Sequence, residues 1–225
     1  MAEEKEQKKG VVVDFDFAAM DGAELLNKTV EQLFGENDIP FSDRAEADHF
    51  AGGNYQGGFA EYFAIVKTKK TAAKAAKDVA ERFSEALCGA MAKAVTPGFK
   101  AFVKALADRG VKVVIATRAD VGKVAPQFDG VLGERVVLHQ ETSQCYGGVK
   151  WDAWRRACVQ NKISNKLAIA VTGSGHGVKS ALLAGMGSVA VIWPRVAYQD
   201  FGGADEVVSS LDESVAKKIL KMLKV

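Results

Sequence analysis

Cysteine is scarce in this chain: 225 residues hold three, Cys88, Cys145 and Cys158, far apart and odd in number. That excludes a disulfide framework or a metal knuckle and makes a reducing compartment the simpler setting. Charge of one sign is also lacking. Lys and Arg number 30 against 28 Asp and Glu, a formal net charge of +2, so bulk electrostatics point neither to nucleic acid nor to an anionic membrane. No apolar run approaches the roughly 20 residues that span a bilayer. The opening MAEEKEQKK has no apolar centre, unlike a cleaved secretory signal. The expectation is a soluble, cytoplasmic protein with a disordered tail over residues 1–9. One further absence is local: no Asp or Glu occurs from Ser164 to Gln199.

What is present is a globular composition, 48% hydrophobic and 26% charged, with 22 glycines that imply several tight turns. Five short runs rich in Val and Ile stand out, at 11–13, 111–116, 135–139, 167–172 and 188–193. They are nearly continuous rather than alternating, as in strands covered on both faces. Helical patterns lie between them. Thr96 reads as an N-cap before Pro97, with Phe99, Phe102, Val103 and Leu106 on one face and Gly110 past the end. A second helix follows Lys150 and carries Trp151, Trp154 and Cys158, a packing face. A third starts near Gly177 with Val178, Ala181 and Leu182, and a last one opens on the capping pair Ser210 and Glu213.

Strands alternating with helices predict an α/β protein, a Rossmann-like parallel sheet with helices on both faces. The stretch 22–95 interrupts this order. It holds no convincing strand, and its clearest helix runs from Thr71 to Ala94, with an apolar stripe from Ala72 to Ala90. Seventy-odd residues exceed a loop, so 22–95 is expected to be an inserted helical cap over a core of 10–21 and 96–225.

The chemistry starts at Val11-Val12-Val13-Asp14-Phe15-Asp16. Carboxylates at i and i+2 share one side of a strand, and burying them unpaired is unfavourable. Such a pair can divide into an ionised nucleophile or metal ligand and a protonated acid; the competing reading is a strand end with solvated or capping acids. Further along, the second strand run ends at Thr117, Lys150 opens a helix, and the fourth run leads into Thr172-Gly173-Ser174-Gly175-His176-Gly177-Val178. In this order and spacing the chain resembles the haloacid dehalogenase superfamily, in particular members with a helical cap of the β-phosphoglucomutase and phosphoglycolate phosphatase type. Asp14 and Asp16 match the first motif, Thr117 the second and Lys150 the third, and Ser174 to Met186 resembles the helix after the fourth. Asp21 falls where such proteins often carry another acid.

The resemblance implies phosphoryl transfer from a small phosphorylated metabolite through an aspartyl-phosphate. Asp14 would attack phosphorus, and Asp16 would act as acid and base. Thr117, Arg118 and Ser174 would bind phosphoryl oxygens, while Lys150 would offset charge. Mg2+ would be held by the Asp14 carboxylate, the Asp16 carbonyl and acids of the fourth motif. Here those acids are replaced by Thr172 and Gly173, and Phe17 and Ala18 stand where the first motif has smaller or hydroxylated residues. Weak or lost activity follows as an expectation. The alternative is a non-catalytic relative that binds a phosphorylated ligand or a protein partner.

Other features read less sharply. The 173–177 loop lacks the G-x-G-x-x-G spacing, and Val178 stands where a Walker loop has glycine before Lys179-Ser180, so it argues against a dinucleotide site, although its amides suit an anion. His176 is a candidate ligand or acid on that loop; His49 and His139 have no metal-spaced partners. Arg44, Asn54, Tyr55 and the lysines Lys67, Lys69 and Lys70 are candidates to select a leaving group, or simply solvated turns.

Overall fold

A computed structural model describes residues 8–50, 55–141 and 151–225. In it the five apolar runs become strands β1 (Lys8–Asp14), β2 (Lys112–Thr117), β3 (Val136–Gln140), β4 (Ile163–Thr172) and β5 (Gly187–Val191). A sixth, β6 (Glu206–Val208), completes a sheet of order β3-β2-β1-β4-β5-β6. Every pairing is parallel. β6 escapes pattern reading because it is only three residues long and not fully buried. β1 also opens earlier than expected: Lys8 pairs with Ile163 across a register shift. The boundary of the expected tail is corrected accordingly, and residues 1–7 lie outside those described.

Successive strand residues face opposite sides, which sorts the core into two layers. Val11 and Val13 pack with Phe99, Phe102, Val215 and Ile219. Val12, Val114 and Ala170 face Trp154, Cys158 and Ala181 instead. The first layer is covered by α6 (Pro97–Asp108) and α10 (Glu213–Met222), the second by α8 (Trp151–Gln160) and α9 (Gly175–Ala184). Thr96 caps α6 by accepting from the Phe99 amide at 3.1 Å, with Pro97 in the first turn. Gly110, at φ +81°, takes the left-handed turn that leads into β2. At α10 the expected cap is corrected: Asp212, not Ser210, accepts from the Ser214 and Val215 amides. A carboxylate two residues closer wins because it reaches two amides at once. Leu182, expected on the buried face of α9, is 48% exposed.

Between β1 and β2 lie α1 (Phe15–Ala18), α2 (Gly22–Gly35), α3 (Asp43–His49), α4 (Tyr55–Val66) and α5 (Ala72–Ala94). The short α7 (Val121–Val124) follows β2. The α5 stripe buries Ala75, Ala76, Val79, Phe83 and Leu87, while Ala72, Ala86 and Ala90 are only half-buried. Phe34 of α2 centres an aromatic cluster with Phe41, Phe50, Phe59, Tyr62 and Phe63. Strand order reverses between β1 and β4, so the crevice at the carboxyl ends of these strands is where such sheets bind ligands.

Candidate active site

β1 ends at Asp14 and the chain turns at once into the four residues of α1. The expected reason for Asp14 and Asp16 to share a side is therefore corrected: Asp16 sits in the helical turn, not on the strand pleat. The two carboxylates still converge, both fully buried, and they converge on Arg118. Its Nη1 donates to Asp14 Oδ1 and to Asp16 Oδ2, each at 3.0 Å. The Arg118 backbone N–H donates to the same Asp16 oxygen at 2.7 Å, and Thr117 Oγ1 donates to Asp16 Oδ1 at 2.6 Å. The guanidinium carbon lies 5.0 Å from the centroid of the Phe17 ring, within cation–π range. Register explains the meeting: Asp14 pairs with Ala116, so Thr117 and Arg118 leave β2 level with the turn after β1.

Two carboxylates against one guanidinium in a buried site are unevenly matched. Burial, reinforced by neighbouring Asp16 and Glu141, outweighs the attraction of Arg118 and raises Asp14 from 3.8 to about 6. The second oxygen, Asp14 Oδ2, has no hydrogen-bond partner among the described residues. Burial also works against the Arg118 charge, but the carboxylates of Asp14 and Asp16 exceed that effect and hold the guanidinium protonated.

The fourth-strand loop closes on this turn. A Cβ placed on Gly173 would lie 1.7 Å from the Phe17 carbonyl oxygen, which also accepts from Trp193 Nε1 at 2.9 Å. Ser174 is buried and caps α9, its Oγ accepting from the Gly177 amide at 2.9 Å. The Gly175 amide donates to Gln199 Oε1 at 2.9 Å. Amides suited to an anion are thus already engaged by side chains. His176 lies in the first turn of α9. Asp21, the possible extra acid, caps α2 through the Glu24 amide at 3.1 Å.

Above the turn, Arg195 ties the core to the helices over it. It pairs with Glu24 of α2 at 3.1 Å and with Asp43 of α3 at 3.3 Å. It also pairs with Glu46 of α3 at 2.5 Å, and Asn27 donates to that same Glu46 oxygen at 2.7 Å. Beneath this contact a cavity of about 20 Å³ remains, lined by Phe17, Phe50, Ser174, Arg195 and Gln199 among others. That is room for about one water.

Asp14, Asp16, Thr117 and Arg118 therefore meet at one point, with Ser174 on the adjoining loop. Lys150, Asn54 and Cys145 lie outside the described residues, as do the side chains of Tyr55 and Trp151. Arg44 is exposed and pairs with Asp48 at 3.4 Å, and Lys70 pairs with Asp78 at 2.9 Å. His49 approaches Glu61 at 3.4 Å. Sequence reading missed Glu141 and Arg195. Glu141 is buried just past β3, paired with Arg156 at 3.4 Å, and had the same signal as Asp14, an acid ending an apolar strand. Arg195 had no local signal, because all three of its partners lie about 150 or more positions away.

Among the described residues no helix is long and apolar enough to cross a membrane. None of their His, Cys, Asp and Glu side chains form a group of three suited to a metal ion.

The chain is similar to the crystal structure of CbbY from Rhodobacter sphaeroides in complex with phosphate. Identity is 17% and the TM-score 0.66, over 91% of this chain and 95% of that one. A β-phosphoglucomutase from Clostridium difficile matches at 11% identity and TM-score 0.70, over 97% of this chain and 100% of that one. A predicted phosphatase from Clostridium acetobutylicum matches at 21% and 0.64, over 96% and 99%. These likenesses establish the fold. Among curated proteins none matches in sequence. The family model for haloacid dehalogenase-like hydrolases matches residues 11–191, and the chain belongs to that family.

Proposed function

We propose that this protein is a non-catalytic member of the family, in which Arg118 takes the place of the cation and turns a phosphoryl-transfer centre into a structural ion-pair cluster. The observation that carries the reading is the Arg118 Nη1 atom, 3.0 Å from a carboxylate oxygen of both Asp14 and Asp16.

The residues present do not fit Mg2+, the ion that members of the family generally use. Mg2+ requires near-octahedral oxygen ligands at about 2.0–2.1 Å, whereas here a cationic side chain already holds both carboxylates. The β4 loop offers no acid between Ser164 and Gln199. Nor has Gly173 space for a side chain, because the Phe17 carbonyl occupies the direction its Cβ would take.

Asp14 as nucleophile faces two further obstacles. Its Oδ1 is held by Arg118, and a carboxyl raised to about 6 is partly protonated in mildly acidic solution and so less nucleophilic. The function then rests on binding, of a phosphorylated ligand or a protein partner.

The catalytic reading is a phosphatase acting on a small phosphorylated metabolite. It draws on the Asp14, Asp16 and Thr117 cluster and on the CbbY structures solved with phosphate and with xylulose-(1,5)bisphosphate. The two readings separate by phosphate release from a panel of small phosphomonoesters in excess Mg2+, with wild type and Asp14→Asn side by side. The expected outcome is the same background release from both. Magnesium-dependent turnover that disappears in Asp14→Asn overturns the proposal.

A further inference from the structure

At the opposite end of the sheet, where the strands begin, lies an open groove of about 850 Å³. Four separate segments bring six cationic side chains to it: Lys8 and Lys9 at the start of β1, Arg109 and Lys112 around the α6–β2 turn, Arg135 before β3, and Lys162 before β4. One acidic side chain, Glu134, lines the same groove. For a chain whose total formal charge is only +2, this is a strong local excess.

Three of the cations are held in place by main-chain oxygens. Lys9 Nζ donates to the Lys224 carbonyl at 3.0 Å, Lys112 Nζ to the Glu134 carbonyl at 2.8 Å, and Arg135 Nη1 to the Gly110 carbonyl at 3.0 Å. A carbonyl positions a cation without cancelling its charge. Among the described residues none of the six forms a salt bridge. Satisfying carbonyls just past helices accounts for Lys9 and Arg135, and Lys112 ties down the bend before β3, both ordinary structural uses of Lys and Arg. Neither accounts for Lys8, Arg109 and Lys162, which are exposed and project around the same opening. The crowding is felt within the groove. Burial, and then the charge of Lys8, pull the Lys112 ammonium below its ordinary range, so an incoming anion relieves repulsion already present. The volume falls in the range of about 300–1,000 Å³ of small-molecule sites, and Arg paired with Lys suits phosphate oxygens.

We propose that this groove binds a compact anion carrying several phosphate groups, at a site separate from the Asp14–Asp16–Arg118 cluster. The test is titration calorimetry of the full chain with inorganic triphosphate at low and moderate salt. Wild type is compared with Arg109→Glu/Lys162→Glu and with Lys104→Glu/Lys217→Glu, which carries the same charge change on exposed lysines outside the groove. The expected result is one saturable site that the groove variant weakens at least tenfold and the control variant changes less than twofold. Circular dichroism confirms that both variants are folded. Absence of a saturable site, or equal weakening by both variants, overturns the proposal. So does a single-stranded oligonucleotide that binds more tightly than triphosphate with a steeper salt dependence, which marks a nucleic-acid surface instead. Co-sedimentation with vesicles containing a phosphoinositide, reversed by triphosphate, assigns the anion to a lipid headgroup. Triphosphate binding without co-sedimentation assigns it to a free metabolite.

Discussion

Replacing Arg118 with alanine would leave Asp14 and Asp16 buried together without their cation. Removing one side of a buried ion pair destabilises by about 3–5 kcal/mol, and that loss is expected in urea unfolding at pH 7.5. At pH 5 the loss should be smaller, because Asp14, already raised to about 6, takes up a proton and reduces the uncompensated negative charge. Equal losses at both pH values would contradict the assignment. Asp14 itself sets a pH trend. A carboxyl whose pKa is raised on folding contributes stability that is complete below its ordinary value and is lost as pH rises through the folded one. Between 3.8 and about 6 the wild type should therefore lose stability from this group, on the order of 3 kcal/mol from the two-unit shift. Asp14→Asn removes that slope and should match or exceed wild-type stability at pH 7.5. A wild-type profile as flat as the variant's over this range would remove the case for a raised Asp14.

At the scale of elements, the turn α1 and the β4 loop are pressed together through backbone. Sequence alone suggests that a metal ligand can be restored by Gly173→Asp. The structure predicts otherwise, since a Cβ there meets the Phe17 carbonyl at 1.7 Å. The variant should lose about 3 kcal/mol by overpacking and gain no magnesium-dependent turnover; a stable, active Gly173→Asp protein would show that α1 yields easily. The second contact between elements is Arg195, which joins the 194–196 turn after β5 to α2 and α3. Arg195→Ala should weaken this attachment by about 1–2 kcal/mol. Hydrogen exchange should rise in α2 and α3 while β1 and β4 stay protected. Uniform exchange across the chain would place Arg195 in global stability instead.

For the whole molecule, one contiguous apolar cluster runs from Val11, Val13 and Ile115 in the sheet through Phe17 and Phe83 to Phe34 and Phe59 in the helices between β1 and β2. Phe17 and Phe83 face each other across this junction at 6.1 Å. Calorimetry should accordingly show a single transition with matching calorimetric and van't Hoff enthalpies. Two resolved transitions would mean that the helices of 22–95 melt independently.

The parallel sheet was legible because its strands are buried on both faces, which forces Val11 to Val13, Val113 to Ala116 and Leu167 to Val171 into continuous apolar runs. The Thr96 cap was legible because a cap is made within three residues. β6 left no such mark, and neither did the partners of Arg195. By itself the sequence determined the α/β order, the position of Asp14, Thr117 and Ser174 at element ends, and the loss of the fourth-motif acids, all properties of neighbouring residues. Tertiary structure alone decided which cation the Asp14 and Asp16 carboxylates meet. Arg118 stands 104 positions from Asp14, and only the pairing of β1 with β2 puts its guanidinium between the two carboxylates. The same holds for the basic groove, whose charges come from four segments that the sequence keeps apart and the starts of parallel strands bring together.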